Sequence, residues 1–276
     1  MLNLVSDSSC DLISGELNSP YARLTVAPMC LHVGGQDYPD TPALDIPALL
    51  AMLAHHPSSS ACPSPAAYAA AFEQGEETVC VTISSNLSGS YNAAMAARDL
   101  VLSEHPEKKI FVLDSRATSG VMILLLRKAA ELAEKGLPFE ELCEALQKYQ
   151  RSTRICFTLE HFDNLVKNGR MPPLAGTLLQ TLGIRLIADA TPEGTIHMAK
   201  KARGAEHTAK AIAQLMSESK DCTGSHVIIT HCQNPEGAER LRNAILDRLP
   251  VKAVEILPCR GLTSFYAMDK GLILSY

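Results

Sequence analysis

Thr78-Val79-Cys80-Val81-Thr82-Ile83-Ser84-Ser85-Asn86-Leu87-Ser88-Gly89-Ser90-Tyr91 decides how this chain is read. Six residues of apolar and β-branched character predict a buried strand, which empties into a run of hydroxyls. The alanine-rich segment that follows, about 91–103, predicts a helix. The first N–H groups of a helix have no partner within it, and the helix dipole leaves that end partly positive. A hydroxyl-rich strand-to-helix turn is therefore a place to hold an anion.

Outward from this stretch the same alternation recurs. Leu2–Val5 reads as a strand ending in the polar turn Ser6–Ser9, and Ile110–Leu113 as a strand ending in Asp114-Ser115. Helical patterns cover Ile46–His55, with Asp45 as N-cap, then Ser119–Lys135, stopped by Gly136, and Pro138–Arg151. This pattern predicts an α/β fold with a parallel sheet in the first half. In such sheets ligands bind beyond the carboxyl ends of the strands. If the three strands are neighbours, Ser6–Ser9, Ser84–Ser90 and Asp114–Ser119 line one rim.

The second half changes character. Ile155–Leu159, Arg185–Asp189 and Ile196–Lys200 are closely spaced strand-like runs, and Thr191-Pro192-Glu193-Gly194 suits a hairpin turn. Helices over Glu206–Ser219 and Pro235–Arg248 alternate with strands over His226–Thr230, Val251–Leu257 and Gly271–Ser275. This predicts an α+β second domain, 154–276, after an N-terminal α/β domain, 1–153. Ser58-Ser59-Ser60 reads as a short loop.

Composition narrows the function. Of 276 residues, 46% are hydrophobic and 20% charged, as in an ordinary globular protein, and the net charge of -5 argues against a nucleic-acid partner. The first residues carry neither a basic segment nor a long apolar one, which predicts a cytoplasmic protein. The nine cysteines form no C-x-x-C pair, so they are expected to be reduced and to hold no metal. Trp is absent, so any large apolar cavity must be lined by aliphatic side chains and Met.

Ser84 and Ser85 could act as an anion clamp or simply as turn residues. A nucleophile would need a base and an orienting acid. The segment is neither G-x-S-x-G nor Ser-x-x-Lys, although nine histidines are available to complete a serine hydrolase acting on acyl esters. Ser60-Ala61-Cys62-Pro63-Ser64-Pro65 reads as a rigid loop leading into a helix, Ala66–Phe72, and able to present Ser60 to the Ser85 turn. Gly169 suits a helix C-cap, from which Arg170 emerges to meet a carboxylate or phosphate. Lys200–Gly204 reads as a solvated basic face. A binding module for another small anion fits these residues as well.

Taken together, these segments resemble the DegV family of fatty-acid-binding proteins, nearly end to end. Ser6–Leu12 is similar to that family's S/T-D-S-T/S-x-D-L opening, Ser60–Pro65 to T-S-x-P-S-P, and Ile83–Tyr91 to I-S-S-x-L-S-G-T-Y. Asp114-Ser115 with Ser119 is similar to D-S-x-x-x-S, Leu165–Met171 to L-x-x-G-G-R-I, and Lys201–Gly204 to K-x-R-G. The resemblance implies a two-domain DegV-like fold that buries a long-chain fatty acid, with no cofactor and no chemistry of its own. It also implies an ATP-dependent fatty acid kinase subunit as partner, a role with which transient membrane contact is compatible. The carboxylate would be held by Ser60, Ser84, Ser85, Asn86 and Arg170. Where many members carry H-T-G-P-G, this chain has Arg260-Gly261-Leu262-Thr263-Ser264, so either Arg260 or Thr263 would take the polar role of the histidine, or the site lacks it. An acid of about 16 carbons offers burial on the order of 12 kcal/mol before ordering costs, so its tail would supply the affinity.

Overall fold

In the computed structural model, which describes residues 1–17, 19–172 and 183–276, two sheets face each other across a helix. The first half supplies strands β1 (Leu2–Asp7), β2 (Ala22–Ala27), β6 (Glu77–Thr82) and β7 (Lys109–Asp114), paired in parallel in the order β2-β1-β6-β7. β1, β6 and β7 are therefore neighbours, and their carboxyl ends share one rim. The central strands β1 and β6 are buried on both faces, as parallel strands are. Val5, Cys80 and Val112 turn toward helices α2 (Pro65–Phe72) and α3 (Ser90–Glu104). Leu4, Val79, Val81 and Leu113 turn the other way, into the main core.

That core is organised by α4 (Gly120–Glu134), in which seven consecutive residues, Gly120–Leu126, are buried. A helical stretch apolar on all sides must be enclosed on all sides, and the first two turns of α4 lie between the first sheet and a second, while Arg127, Lys128, Glu131 and Glu134 of its later turns reach the surface. The second sheet has the order β10-β9-β8-β13-β11-β12. Its strands are β8 (Ile155–Leu159), β9 (Ile184–Ala190), β10 (Ile196–Arg203), β11 (His226–His231), β12 (Ala253–Pro258) and β13 (Leu272–Ser275). Only β11 and β12 pair in parallel; the other neighbours are antiparallel. Cys156, Val227, Ile229 and Leu274 face helices α7 (Ala205–Ser219) and α8 (Pro235–Leu246), while Ile155, Leu159, Ile228 and Ile273 join α4 in the main core. The passage from one sheet to the other falls after α5 (Phe139–Ser152), yet the main core takes residues from both sides of it. The start of α4 is pressed so close that a Cβ on Gly120 would lie 2.7 Å from Ser275 Oγ.

A third, antiparallel sheet has the order β4-β3-β5, from β3 (Cys30–Val33), β4 (Gln36–Pro39) and β5 (Ser58–Ala61). It corrects the reading of Ser58-Ser59-Ser60 as a loop. These serines form an edge strand because β3 supplies the pairing that their composition does not announce. Helices α1 (Ile46–Leu53) and α9 (Gly261–Ala267) pack nearby, and α1 is capped by Asp45, which accepts from Ala48 N at 3.0 Å.

Two buried carboxyls, Asp11 and Asp40, hold the junction between the halves, and a third, Asp7, closes the rim of the first sheet. Asp7, at the end of β1, accepts from Ile83 N at 3.0 Å, from Ser9 N at 3.1 Å and from the Ser9 hydroxyl. Asp11 accepts from Ser119 Oγ at 2.5 Å, at the start of α4, and from Arg260 N at 2.7 Å. Asp40 accepts from Gly261 N at 3.0 Å and Leu262 N at 2.8 Å, so it caps α9 from 221 residues away. The fit there requires glycine, since a Cβ on Gly261 would lie 2.3 Å from Asp40 Oδ1.

Removing a helix cap costs on the order of 0.5–2 kcal/mol, and both α9 donors here are buried. Asp40→Ala is expected to lower the unfolding free energy by about 1–2 kcal/mol in urea titrations, with an unchanged m-value. Burial pushes Asp11 up to about 7, against the hydrogen bonds from Ser119 and Arg260 N, which pull it down. The folded state thus keeps a proton that the unfolded chain gives up near pH 4. The stability from this group is full below about pH 4 and is lost as pH rises through about 7. Asp11→Asn should flatten that slope in thermal melts across pH 4–8.

Candidate functional site

The gap between the sheets that α4 does not fill is a cavity of about 310 Å³, at the small end of the roughly 300–1,000 Å³ usual for ligand sites. One wall is the second sheet, where alternation along β8 turns Ile155, Phe157 and Leu159 inward, beside Ile273 on β13 and Ile196 on β10. Facing them are Ile83 and Leu87 of the turn after β6, Met29, and Leu262 and Ala267 of α9. Apart from Phe157, this apolar lining is aliphatic or Met, as the Trp-free composition suggests, and Asp189 of β9 also borders the cavity.

Polar groups gather where three segments meet. Alternation along β5 sends Ser60 inward, opposite buried Leu31 on β3, and its hydroxyl lies 2.8 Å from the Tyr266 hydroxyl of α9. The start of α3 brings Ser88 and Gly89 to the same wall, with Ser88 Oγ accepting from Ser90 N at 3.3 Å. The Ser60 and Ser88 segments touch closely, since a Cβ on Gly89 would lie 3.3 Å from Cys62 Sγ.

Arg170 completes the group through its local backbone. It follows the short helix α6 (Asp163–Lys167), where Gly169 N donates to Val166 O at 3.0 Å and Arg170 N to Leu165 O at 2.8 Å. This is the Schellman ending, and Gly169 adopts the positive φ of 73° that it requires. The chain reverses there and aims the guanidinium at the cavity, with Nε donating to Leu87 O at 3.0 Å and the group 6.0 Å from the Tyr266 ring centre. Asn164 fixes α6 to α9 by donating to Phe265 O at 2.7 Å.

Of the sequence-derived candidates, Ser60, Arg170 and Thr263 line the cavity. Thr263 Oγ1 is buried there without a hydrogen-bond partner among the described residues. The other four are engaged elsewhere. Ser84 Oγ donates to Gly194 O at 2.7 Å, and Asn86 Nδ2 to Glu193 O at 2.7 Å. With Arg116 Nη1 on Pro192 O at 3.0 Å, they latch the tip of the β9–β10 hairpin over the cavity. Ser85 Oγ donates to Asp114 Oδ2 at 2.6 Å, which ties the turn after β6 to the end of β7. Arg260 lies over the Ser8–Cys10 turn, where Nε donates to Asp11 O at 3.1 Å and Nη2 is 3.6 Å from Glu16.

Sequence reasoning passed over Ser88 and Tyr266. Ser88 sits in the quoted serine run, nearer the helix start, and that position was the available signal. Tyr266 lies on α9, which no local pattern announced.

The hairpin latch depends on Gly194. It has a φ of 84°, and a Cβ there would lie 2.4 Å from Ser84 Oγ and 2.8 Å from Arg116 Cα. Gly194→Ala combines a left-handed backbone with that overlap, so it should cost about 1–3 kcal/mol in denaturant titrations. It should also raise protease cleavage at 191–195.

Residues 1–270 match the family model described as an uncharacterised protein of the DegV family. A DegV domain-containing protein of Streptococcus pneumoniae is 36% identical over 277 residues, spanning 99% of this chain and 98% of that protein. The crystal structure of the Streptococcus pneumoniae Fatty Acid Kinase (Fak) B3 protein loaded with linoleic acid superposes with a TM-score of 0.94. It is 35% identical and covers 100% of this chain and 99% of its own. A DegV family protein from Eubacterium eligens loaded with heptadecanoic acid gives a TM-score of 0.93 at 31% identity, with the same coverage.

Proposed function

Because the chain belongs to the DegV family, we propose that it binds a long-chain fatty acid in the cavity between its sheets and presents the carboxylate to an ATP-dependent kinase subunit. One observation carries this reading: the cavity is mainly apolar along its sheet wall, with Asp189 and Thr195 at the β9–β10 side, and brings hydroxyls and one guanidinium together where Ser60, Ser88, Arg170 and Tyr266 meet. A fatty acid has the same asymmetry. The ligands of the Streptococcus pneumoniae and Eubacterium eligens structures support it.

In this reading the Ser60 and Tyr266 hydroxyls, already paired, turn their protons toward one carboxylate oxygen. Ser88 and the free N–H groups at the start of α3 serve the other. Arg170 adds charge from the rim. The head group is thus bound mainly by neutral donors, which leave an oxygen lone pair for attack on a phosphoryl group. The chain contributes position and exclusion of water, and the ATP chemistry belongs to the partner. A role as a kinase's lipid-bearing partner in place of a hydrolase is supported by the serines themselves. Ser84 is committed to a carbonyl and Ser85 to a carboxylate. Among the described residues no histidine is hydrogen-bonded to Ser84, Ser85 or Ser88. Among the described residues no helix is long and apolar enough to cross a membrane.

Protein purified from cells and denatured in the mass spectrometer should release a fatty acid. Ser60→Ala and Ser88→Ala should keep the fold and the bound lipid but lower kinase-coupled acyl-phosphate formation about tenfold, the loss of one hydrogen bond to a charged group. Protein that arrives empty and takes up neither palmitate nor oleate would overturn the reading. Fluorophosphonate labelling of a serine would replace it with the hydrolase.

A further inference from the structure

The outer face of the β3–β4 hairpin carries a trio that the cavity does not use. Cys30 and His32 are two apart on β3, so their side chains share one face, and Asp37 on β4 stands directly opposite His32. Leu31 and Val33, between and beyond them, point into the core. Cys30 Sγ, His32 Nδ1 and an Asp37 carboxylate oxygen all lie within 4.8 Å of one another, and Nδ1 is 2.5 Å from Asp37 Oδ1. Among the described residues no other trio of His, Cys, Asp or Glu is this close.

We propose that Cys30, His32 and Asp37 form a binding site for a borderline divalent cation, zinc above all. A thiolate, an imidazole and a carboxylate are the three ligand types zinc takes, whereas magnesium and calcium prefer oxygen throughout. An ion at bond lengths of roughly 2.0–2.3 Å holds its ligands about 3.3–3.7 Å apart. His32 and Asp37 must therefore open slightly and the sulfur draw in by about an ångström. Adjustments of that size are within side-chain reach, since the His32 side chain is 37% and the Asp37 side chain 71% exposed. Binding forms the metal–sulfur bond as the thiol releases its proton to solvent, and it leaves a fourth position for water. The sequence gives no C-x-x-C signal because two of the ligands are a C-x-H pair and the third arrives only through the hairpin register.

The site has a structural consequence. β3 pairs on its other edge with β5, where Ser59 lies opposite His32 and Ser60 opposite Leu31. A metal on the outer face would staple β3 to β4 and stiffen the sheet whose inner face presents Ser60.

The test is a Co²⁺ titration of the full-length protein after chelator treatment. A near-ultraviolet thiolate-to-cobalt charge-transfer band should appear and be displaced by Zn²⁺. Cys30→Ser should abolish the band. His32→Gln and Asp37→Asn should weaken Co²⁺ binding by at least the roughly 10–100-fold typical of losing even an outer partner of a metal site. Cys62→Ser should leave the band in place. No band in the wild-type protein, an equal band in Cys30→Ser, or loss of the band in Cys62→Ser would each overturn the assignment.

Discussion

Three carboxyls taken out of water govern how this molecule closes. A buried Asp must find donors, and Asp7, Asp11 and Asp40 each find them on segments far away in the chain. Asp7 holds the turn after β6, Asp11 the start of α4 and the approach to α9, and Asp40 the first two N–H groups of α9. These are the segments that frame the cavity. Burial raises all three from the ordinary carboxylate value, and the hydrogen bonds from these donors oppose it. Beside them among the described contacts, Arg260 donates its backbone N–H to Asp11 Oδ1, while its guanidinium donates from Nε to the Asp11 backbone carbonyl and lies near Glu16.

With those ends fixed, the cavity is a consequence of layering. The first two turns of α4, Gly120–Leu126, are apolar on every side and keep the two sheets apart. Where its enclosure ends, the inward residues of β8, β10 and β13 meet the turn after β6 with nothing between them. The β9–β10 hairpin is held across this space by Ser84, Asn86 and Arg116, which donate to three consecutive residues' carbonyls. Those bonds are backbone-directed, so they fix the hairpin's position without regard to its side chains. The hydroxyl-rich turn therefore serves two purposes. Its first half fastens the enclosure, and its second half, at Ser88 and Gly89, faces the interior.

Much of this was legible in the chain. The periodicity of Thr78–Ile83 and its counterparts gives the parallel sheet, and the Thr191–Gly194 turn gives the hairpin. Gly169 gives the reversal that aims Arg170. The third sheet was not legible, because Ser58-Ser59-Ser60 has no apolar alternation and becomes a strand only by pairing with β3. α9 was not legible either. It has seven residues, begins with a glycine, and receives its cap from Asp40 in another part of the chain.

The division among the serines has the same cause. Sequence establishes that Ser84–Ser90 is a strand-to-helix turn dense in donors, because strand propensity, helix start and hydroxyl content are local properties. It does not establish which hydroxyl meets a ligand. Ser85 turns to Asp114 because β7 lies beside β6, and Ser84 turns to Gly194 because the hairpin of the second sheet lands there. Ser60 comes to face Tyr266 through the register of β5 on β3. Which donors remain for a ligand is settled only when residues some 30 to 200 positions apart come together, and no local pattern carries that information.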